Sequence, residues 1–247
     1  MNNLFTNNLP VINVYKKASV KSEVVTQLIY GERFLIKKKS HKWLLIKIYE
    51  DGYKGYIKNR KYISNLIPTH KVCNLNAKIY KFPNTKKKIN ILTFGSKIKK
   101  LDKKFGFLKF NNGWINSKDV KLISFKEKNL FKNIEMFKEV KYMWGGKSFK
   151  GIDCSALIQI FLNFNNKFCP RDAKDQVRYF KKNINLKKIK KNDIIYWKGH
   201  VAVAISKNKL IHAYGPKKKT VVMDILKTIK LIKKTAKLKI LSIKKIK

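Results

Sequence analysis

The first half of the chain consists of short hydrophobic runs that are interrupted by turn residues. Residues 11–63 contain β-branched and aromatic segments typical of strands, and residues 77–123 repeat the pattern. Gly31 in "LIYGERFLI" corresponds to Gly95 in "LTFGSKIKK", and "DGYKGYIKNRKY" corresponds to "NNGWINSKDV". Each repeat therefore predicts a small barrel of short strands joined by tight turns.

From residue 126 the hydrophobic period changes from that of strands to that of helices. Residues 126–140, "KEKNLFKNIEMFKEV", predict a helix, because apolar residues recur there every three or four positions: Leu130, Phe131, Ile134, Phe137 and Val140.

Two further helices and a set of strands are predicted after this segment. One helix covers "CSALIQIFLNF" and begins near Asp153 or Cys154, and the other covers "DAKDQVRYFKK" with Asp172 as its cap. Strands are predicted in "DIIYW", "GHVAVAIS", "KLIHAYG", "TVVMDI" and "LKILSIKKI". Helices followed by antiparallel strands indicate an α+β domain.

The C-terminal segment "KTIKLIKKTAKLKILSIKKIK" has two interpretations. It could be a basic amphipathic element on a membrane surface. The pattern favours a last short helix and a strand that completes the sheet, with the lysines on the solvated face.

The charge of the chain is unusually positive, with 59 Lys+Arg against 14 Asp+Glu and a formal net charge of +45. Such an excess raises nucleic-acid binding as an alternative function. However, the basic residues are mostly lysines spread along the whole chain, whereas base readout prefers arginine. We therefore favour compositional bias and expect no specific nucleic-acid partner.

The cysteines and the apolar runs limit the class of protein. Cys73, Cys154 and Cys169 are odd in number and form no CxxC pair, which argues against a structural zinc site and a disulfide scaffold. The start "MNNLFTNNLPVINVYKK" lacks the pattern of a secretory signal, and no apolar run reaches the roughly 18 residues of a membrane span. We expect a reduced, cytoplasmic setting with no metal.

Cys154 is the candidate nucleophile of the second half. At a helix start, unpaired amides and the helix dipole favour an anion, so the sequence predicts a stabilised thiolate. The alternative is an inert core cysteine, since free cysteine is often buried.

Two histidines, His200 and His212, lie on consecutive predicted strands and could supply a base. Taken singly, His200 could face solvent and His212 could be a satisfied core residue. For both histidines to lie on one face of the sheet, even-numbered residues of one strand must pair with even-numbered residues of the other. A two-residue loop at Lys207–Asn208 would not do this, so an odd loop or a bulge is required.

Five segments in order resemble the NlpC-type cysteine peptidases, papain-like enzymes that cleave bacterial cell-wall peptides. They are "YMWGG" (142–146), "GIDCSALIQ" (151–159), "PRDAKDQ" (170–176), "IKKNDIIYWKGHVAVAI" (189–205) and "LIHAYGP" (210–216). The two repeats resemble bacterial SH3-type domains. The resemblance implies a multidomain fold with two small all-β SH3-like barrels (1–68 and 72–125) and an α+β papain-like catalytic domain (126–247).

The resemblance also implies roles for individual residues. Cys154 would attack the peptide carbonyl, His200 would be its base, and His212 would orient His200 as the third member of a triad. The backbone amide of Cys154 would stabilise the oxyanion, and Tyr142 would line the oxyanion side or the substrate pocket. Four residues would shape the subsite for the D-glutamyl carboxylate and the free amine of the leading alanine: Asp153, Ser155, Arg171 and Asp172.

Three positions depart from the family pattern. Asn192 replaces a usual glycine, Ala173 a frequent serine and Ala156 a frequent glycine. None of the three removes the triad, whereas the change at Ala173 could alter the substrate contacts.

The function implied is hydrolysis of the bond between γ-D-glutamate and the following diamino acid, in free peptidoglycan-derived peptides with an N-terminal L-alanine, without a cofactor. A cell-wall-binding module with an inactive catalytic domain is an alternative. So is an acyl transferase or amidase on the same scaffold. The sequence gives no oligomeric state.

Overall fold

The computed structural model describes residues 4–64 and 66–246. They form two compact units. The first contains the described residues up to Phe125 together with Lys147–Phe149, and the second contains Lys126–Gly146 and the described residues from Lys150 onward.

The first repeat forms one antiparallel sheet with the strand order β3-β2-β6-β5-β4-β1-β7. Its core contains Val14, Leu28, Phe34, Leu44, Ile46, Ile48 and Ile57. The strands are β1 (Leu4–Thr6), β2 (Val11–Tyr15), β3 (Val24–Ile29), β4 (Arg33–Lys39), β5 (Trp43–Ile48), β6 (Lys54–Lys58) and β7 (Ile63–Ser64).

The second repeat forms two sheets, ordered β10-β9-β14-β13-β12 and β11-β8-β15. Its apolar core includes Val72, Ile79, Leu92 and Phe110, and Tyr30 of the first repeat belongs to the same cluster. The strands are β8 (His70–Val72), β9 (Asn76–Tyr80), β10 (Lys88–Thr93), β11 (Lys97–Ile98), β12 (Asp102–Lys104), β13 (Phe107–Phe110), β14 (Gly113–Asn116) and β15 (Val120–Leu122). A short 3-10 helix, Ser117–Asp119, precedes β15.

A short segment from later in the chain packs within the first unit. It contains β16 (Lys147–Ser148). The Lys147 ammonium donates to Glu32 Oε1 at 2.6 Å, and both side chains are buried. The backbone amide of Phe149 donates to the Thr93 hydroxyl at 3.1 Å. Because Glu32 belongs to the first repeat and Thr93 to the second, this segment ties the two repeats together.

The second unit is a five-stranded antiparallel sheet with helices. The strand order is β21-β20-β19-β18-β22. The elements are β17 (Gly151–Ile152), α1 (Cys154–Phe164), α2 (Ala173–Tyr179), β18 (Ile194–Trp197), β19 (His200–Ala204), β20 (Lys209–Tyr214), β21 (Lys219–Asp224), α3 (Ile225–Ala236) and β22 (Ser242–Lys244), with 3-10 turns at Ile134–Phe137, Leu186–Lys188 and Gly215–Lys217.

The prediction of a helix over residues 126–140 is wrong. Residues 126–140, all of which the structure describes, form turns and the single 3-10 helix Ile134–Phe137. Asn133 and Glu139 have positive φ angles of 62° and 69°, which an α-helix does not tolerate. The apolar spacing instead reflects burial, since Phe131, Ile134, Phe137 and Val140 are all buried.

The favoured interpretation of the C-terminal segment is confirmed. Helix α3 buries Ile225, Thr228 and Ile232, while its lysines face outward. Strand β22 then pairs with β18 at the edge of the sheet. Within residues 4–64 and 66–246, no helix is long and apolar enough to cross a membrane.

Asn192, which replaces a usual glycine, has a positive φ of 76°. Asparagine tolerates this left-handed conformation better than most residues. Its backbone amide donates to the carbonyl of Ala204 at 2.8 Å, so the turn before β18 keeps its connection to β19. The departure from the family pattern therefore keeps the turn, but it leaves the Asn192 Oδ1 atom buried without a hydrogen-bond partner among the described residues.

Gly31 and Gly95, matched in the sequence repeats, adopt the same left-handed conformation with φ of 81°. They differ in their surroundings. A Cβ at Gly31 would lie 2.0 Å from the carbonyl oxygen of Lys97, whereas a Cβ at Gly95 would meet only Ile29 Cδ1, at 3.5 Å.

We therefore expect Gly95→Ala to lower the free energy of unfolding by about 1–2 kcal/mol, the usual penalty for an alanine in the left-handed conformation. Gly31→Ala should cost about 1–3 kcal/mol more, because it adds a steric clash with backbone. Urea unfolding of the full chain measures both variants. Equal losses would contradict the close approach at Gly31.

Candidate active site

The N-terminus of α1 is capped by Asp153 and begins with Cys154. Asp153 has extended backbone, and its carboxylate accepts the amide of Ala156 at 2.8 Å. Ten of the eleven residues of α1 are buried, and the helix packs against β19 and β20. A capped helix buried on all sides fixes the position of its first residue.

Cys154 lies in a dry environment, with 7% of its surface exposed. Its thiol lies within hydrogen-bonding reach of the backbone amides of Val201 and Ser155. Because Val201 directly follows His200, the thiol lies at the start of strand β19. All three cysteines of the chain are thiols.

The prediction of a stabilised thiolate is wrong for the resting protein. Burial raises the pKa of Cys154 to about 12, and the neighbouring Asp153 carboxylate adds to the rise. The amides of Val201 and Ser155 and the Arg171 guanidinium lower this pKa, but by less than burial raises it. The amides at the helix terminus do favour a thiolate, but burial of the thiol disfavours the charge by more.

His200 and His212 are brought together on one face of the sheet. His200 Nε2 lies 2.8 Å from His212 Nδ1. The strands pair Val203 with Ile211, and the amide of Ile205 donates to the carbonyl of Lys209. Ser206, Lys207 and Asn208 remain as the loop, which confirms that an odd loop is required for the two histidines to meet.

Both imidazoles are neutral at pH 7. Burial lowers the pKa of His200 to about 4. Burial, His200 and the Lys217 ammonium together lower the pKa of His212 to about 3. At pH 7 the site therefore contains a neutral thiol and two neutral imidazoles.

Aromatic rings and a thioether surround the two histidines, and the sequence interpretation missed them. Tyr214 stacks on His212 with ring centroids 4.6 Å apart and planes 9° apart. Trp197 lies 5.7 Å from the His200 ring. His212 Nε2 lies 3.5 Å from Met223 Sδ. No local signal in the sequence marked Met223, because its contact with His212 depends on the register in which β20 and β21 pair.

Arg171, Asp153 and Ser155 form one buried polar cluster. The Arg171 guanidinium contacts the Asp153 carboxylate twice, at 3.0 Å and 2.5 Å, and also the Ser155 hydroxyl at 3.0 Å. Asp153 also accepts the amide of Gly145 at 3.0 Å. The arginine thereby compensates the carboxylate that caps the helix beginning at Cys154.

The other two residues predicted to contact substrate are Asp172 and Tyr142. Asp172 occupies the N-cap position of α2, but in this fully described helix its side chain makes no capping hydrogen bond. The Tyr142 amide donates to the carbonyl of Lys218 at 2.8 Å. Burial, Cys154 and Asp153 raise the pKa of Tyr142 to about 12, so its hydroxyl stays protonated close to the thiol.

Gln176 is a further polar residue of the site that the sequence interpretation left without a role. It is fully buried, and its amide nitrogen donates to the carbonyls of Ser155 and Pro170, each at 2.9 Å. Helix α2 is thus bonded to the first turn of α1. Within residues 4–64 and 66–246, no three His, Cys, Asp or Glu side chains are grouped so that they could hold a metal ion.

Arg171→Ala should destabilise the protein by about 3–5 kcal/mol, because it leaves the Asp153 carboxylate buried without its partner. The matched control is Arg178→Ala on α2, where the side chain is exposed and the change should stay within about 0.5 kcal/mol. Chemical denaturation measures both. Equal stability of the two variants would show that the buried pair is not coupled to folding.

Alkylation by iodoacetamide tests the protonation state of Cys154, with Cys154→Ala supplying the background from the other thiols. Because the pKa of the thiol is raised, the rate at Cys154 should be slow at pH 7 and still rise above pH 9. A rate that is already maximal and flat between pH 5 and 8 would instead indicate a preformed thiolate–imidazolium pair.

Comparisons with known proteins agree with this arrangement. Residues 139–238 match the model of the NlpC/P60 family, and residues 10–64 match that of the bacterial SH3 domain. "Dipeptidyl-peptidase 6" of Lysinibacillus sphaericus is 24% identical over 81% of this chain and 84% of that protein. "Gamma-D-glutamyl-L-lysine dipeptidyl-peptidase" of Bacillus subtilis is 24% identical over 83% of this chain and 77% of its own.

The fold is also found among solved structures. A crystal structure of an NlpC/P60 family protein from Bacillus cereus superposes with a TM-score of 0.83, covering 98% of this chain and 99% of that one at 17% identity. Residues 139–238 thus carry an NlpC/P60 domain and residues 10–64 a bacterial SH3 domain, and the solved structure shows the same fold over the chain.

Proposed function

We propose that this protein is a cysteine peptidase that hydrolyses the bond between γ-D-glutamate and the following diamino acid, in cell-wall peptides with a free N-terminal L-alanine. The observation that carries the proposal is the juxtaposition of a buried thiol at a helix start with two hydrogen-bonded, neutral imidazoles. A nucleophile, a base and an orienting group are the parts that acyl transfer requires.

The reaction proceeds in two steps. As Cys154 Sγ attacks the γ-carbonyl carbon, its proton passes to His200, which at neutral pH has an unprotonated nitrogen to receive it. The backbone amide of Cys154 donates to the oxyanion. His200 then gives the proton to the departing amine of the diamino acid, the C–N bond breaks, and a thioester remains. Water, deprotonated by His200, releases the dipeptide and restores the thiol.

Burial makes this chemistry feasible although the resting thiol is neutral. In a dry site, a thiolate is unfavourable alone but is stabilised beside the imidazolium formed at the same moment. The interaction therefore strengthens as the transition state is approached and is weak in the ground state, which is the property that lowers a barrier.

We also assign the substrate contacts to the polar residues beside the nucleophile. Tyr142, Asp153, Ser155, Arg171 and Asp172 would shape the pocket for the D-glutamyl carboxylate and the alanine amine. In support, Arg171, Asp153 and Ser155 are already locked together next to Cys154. A pocket whose groups are held in place before binding loses little entropy when substrate arrives. The names of the two relatives, each a dipeptidyl-peptidase, agree with a dipeptide product.

Incubation with L-Ala-γ-D-Glu-L-Lys and with L-Ala-γ-D-Glu-meso-diaminopimelate tests the proposal. Wild type should release L-Ala-γ-D-Glu, detected by mass spectrometry. Cys154→Ala should lose activity by about 10⁴-fold or more, as expected for loss of a nucleophile. Cys73→Ala is the matched control, because this thiol lies in the first unit and should leave the rate unchanged.

The two peptides and an N-acetylated form separate the possible outcomes. Cleavage of the free peptides but not of the acetylated one supports recognition of the alanine amine. If no cell-wall peptide is cleaved, free or acetylated, the proposal is wrong and an inactive binding module becomes the better account.

A further inference from the structure

We propose that Met223 is a positioning residue that selects the reactive tautomer of His200 by acting through His212. The inference rests on the proposed function for its effect on rate. It is based first on a continuous row of contacts between three side chains. His200 Nε2 lies 2.8 Å from His212 Nδ1, and His212 Nε2 lies 3.5 Å from Met223 Sδ.

The row follows from the register of three neighbouring strands. His200 lies on β19, His212 on β20 and Met223 on β21, and these strands are adjacent in the sheet. His212 pairs with Val221, so Met223, two residues further along β21, is its diagonal neighbour on the same face. Long side chains reach each other at this diagonal spacing.

The thioether determines which ring nitrogens in the row donate a hydrogen bond and which accept one. A neutral imidazole has one nitrogen that donates and one that accepts, whereas a thioether sulfur can only accept. His212 Nε2 must therefore carry the proton in order to contact Met223 favourably. His212 Nδ1 is then an acceptor, and it takes its hydrogen bond from His200 Nε2–H.

The consequence for His200 is that its Nδ1 bears a lone pair. This is the nitrogen that His212 does not occupy, and it is the one left to receive the Cys154 proton. In the opposite arrangement, His212 donates from Nδ1, His200 carries its proton on Nδ1, and the base is blocked. That arrangement also sets the lone pairs of His212 Nε2 and Met223 Sδ against each other, so Met223 disfavours it.

Burial makes this selection effective. The pKa values of His200 and His212 are lowered to about 4 and about 3, so both rings stay neutral at pH 7 and their tautomers are defined. Tyr214, stacked on His212 at 4.6 Å, covers the ring face and leaves the edge nitrogens as the polar contacts. A weak acceptor can bias a tautomer under these conditions, because His212 is only 1% exposed and bulk water competes little for the same proton.

Met223→Leu tests the inference, since it keeps approximately the same volume and removes the acceptor. Nitrogen-15 NMR of imidazole-labelled protein reports which ring nitrogen carries the proton. In wild type, both histidines should be protonated on Nε2. In Met223→Leu, His212 should show a new population protonated on Nδ1. The value of kcat on the cleaved peptide should fall about threefold to tenfold, as for loss of one weak hydrogen bond, with KM unchanged.

Two further variants complete the design. Met223→Gln, whose amide oxygen can accept the same hydrogen bond, should return both the tautomer and kcat toward wild type. Met136→Leu, in the 3-10 turn Ile134–Phe137, makes the same substitution elsewhere in the second unit and should change neither. Thermal unfolding verifies that each variant is folded.

The NMR measurement requires no substrate, so it separates this inference from the proposed function. If wild type cleaves no peptide, the function is wrong while the tautomer assignment is still decided by NMR. The inference is overturned if wild-type His212 is protonated on Nδ1, or if Met223→Leu leaves the tautomers as they are in wild type.

Discussion

The packing of helix α1 against strands β19 and β20 is the contact on which the candidate site depends. The helix carries Cys154 at its first position, and the strands carry His200 and His212. Because ten of the eleven helical residues are buried, the helix cannot rotate or slide without losing apolar burial along its length. The core thus fixes Cys154 relative to His200 and His212.

The same burial sets the electrostatics of the site. It raises the pKa of the Cys154 thiol and lowers the pKa values of both imidazoles, so the thiol and the two rings are neutral at pH 7. Neutral groups cost less free energy to bury than a permanent ion pair, which carries a desolvation cost. The charge pair beside Cys154, Arg171 with Asp153, is held by several hydrogen bonds and stabilises the helix cap.

The sequence predicted those elements for which a single pattern of residues was decisive. Helix α1 and the positions of the last five strands along the chain followed from the apolar pattern. The odd loop between His200 and His212 followed from the condition that both histidines share one face of the sheet. The segment 126–140 was misjudged because helical spacing of apolar residues reports burial, and left-handed residues at Asn133 and Glu139 are invisible to that pattern. The thiolate was misjudged because a sequence shows the helix start but not the dryness around it.

The residues that sequence could not assign are those whose roles arise from packing across elements. Gln176 bonds α2 to the first turn of α1, and Met223 reaches His212 only because three strands pair in one register. The segment Lys147–Phe149, which packs with the first unit, likewise has no local signal. Such contacts depend on tertiary geometry, which periodicity and motif spacing do not contain.

Under the proposed function, Cys154 alone attacks the γ-carbonyl of the glutamyl residue. This role of Cys154 is tested with L-Ala-γ-D-Glu that bears a fluoromethyl ketone in place of the scissile amide, followed by peptide mapping. We expect a single thioether adduct on Cys154, with loss of fluoride and of activity, and none on Cys73 or Cys169. Equal labelling of the other thiols, or none at Cys154, would contradict the account.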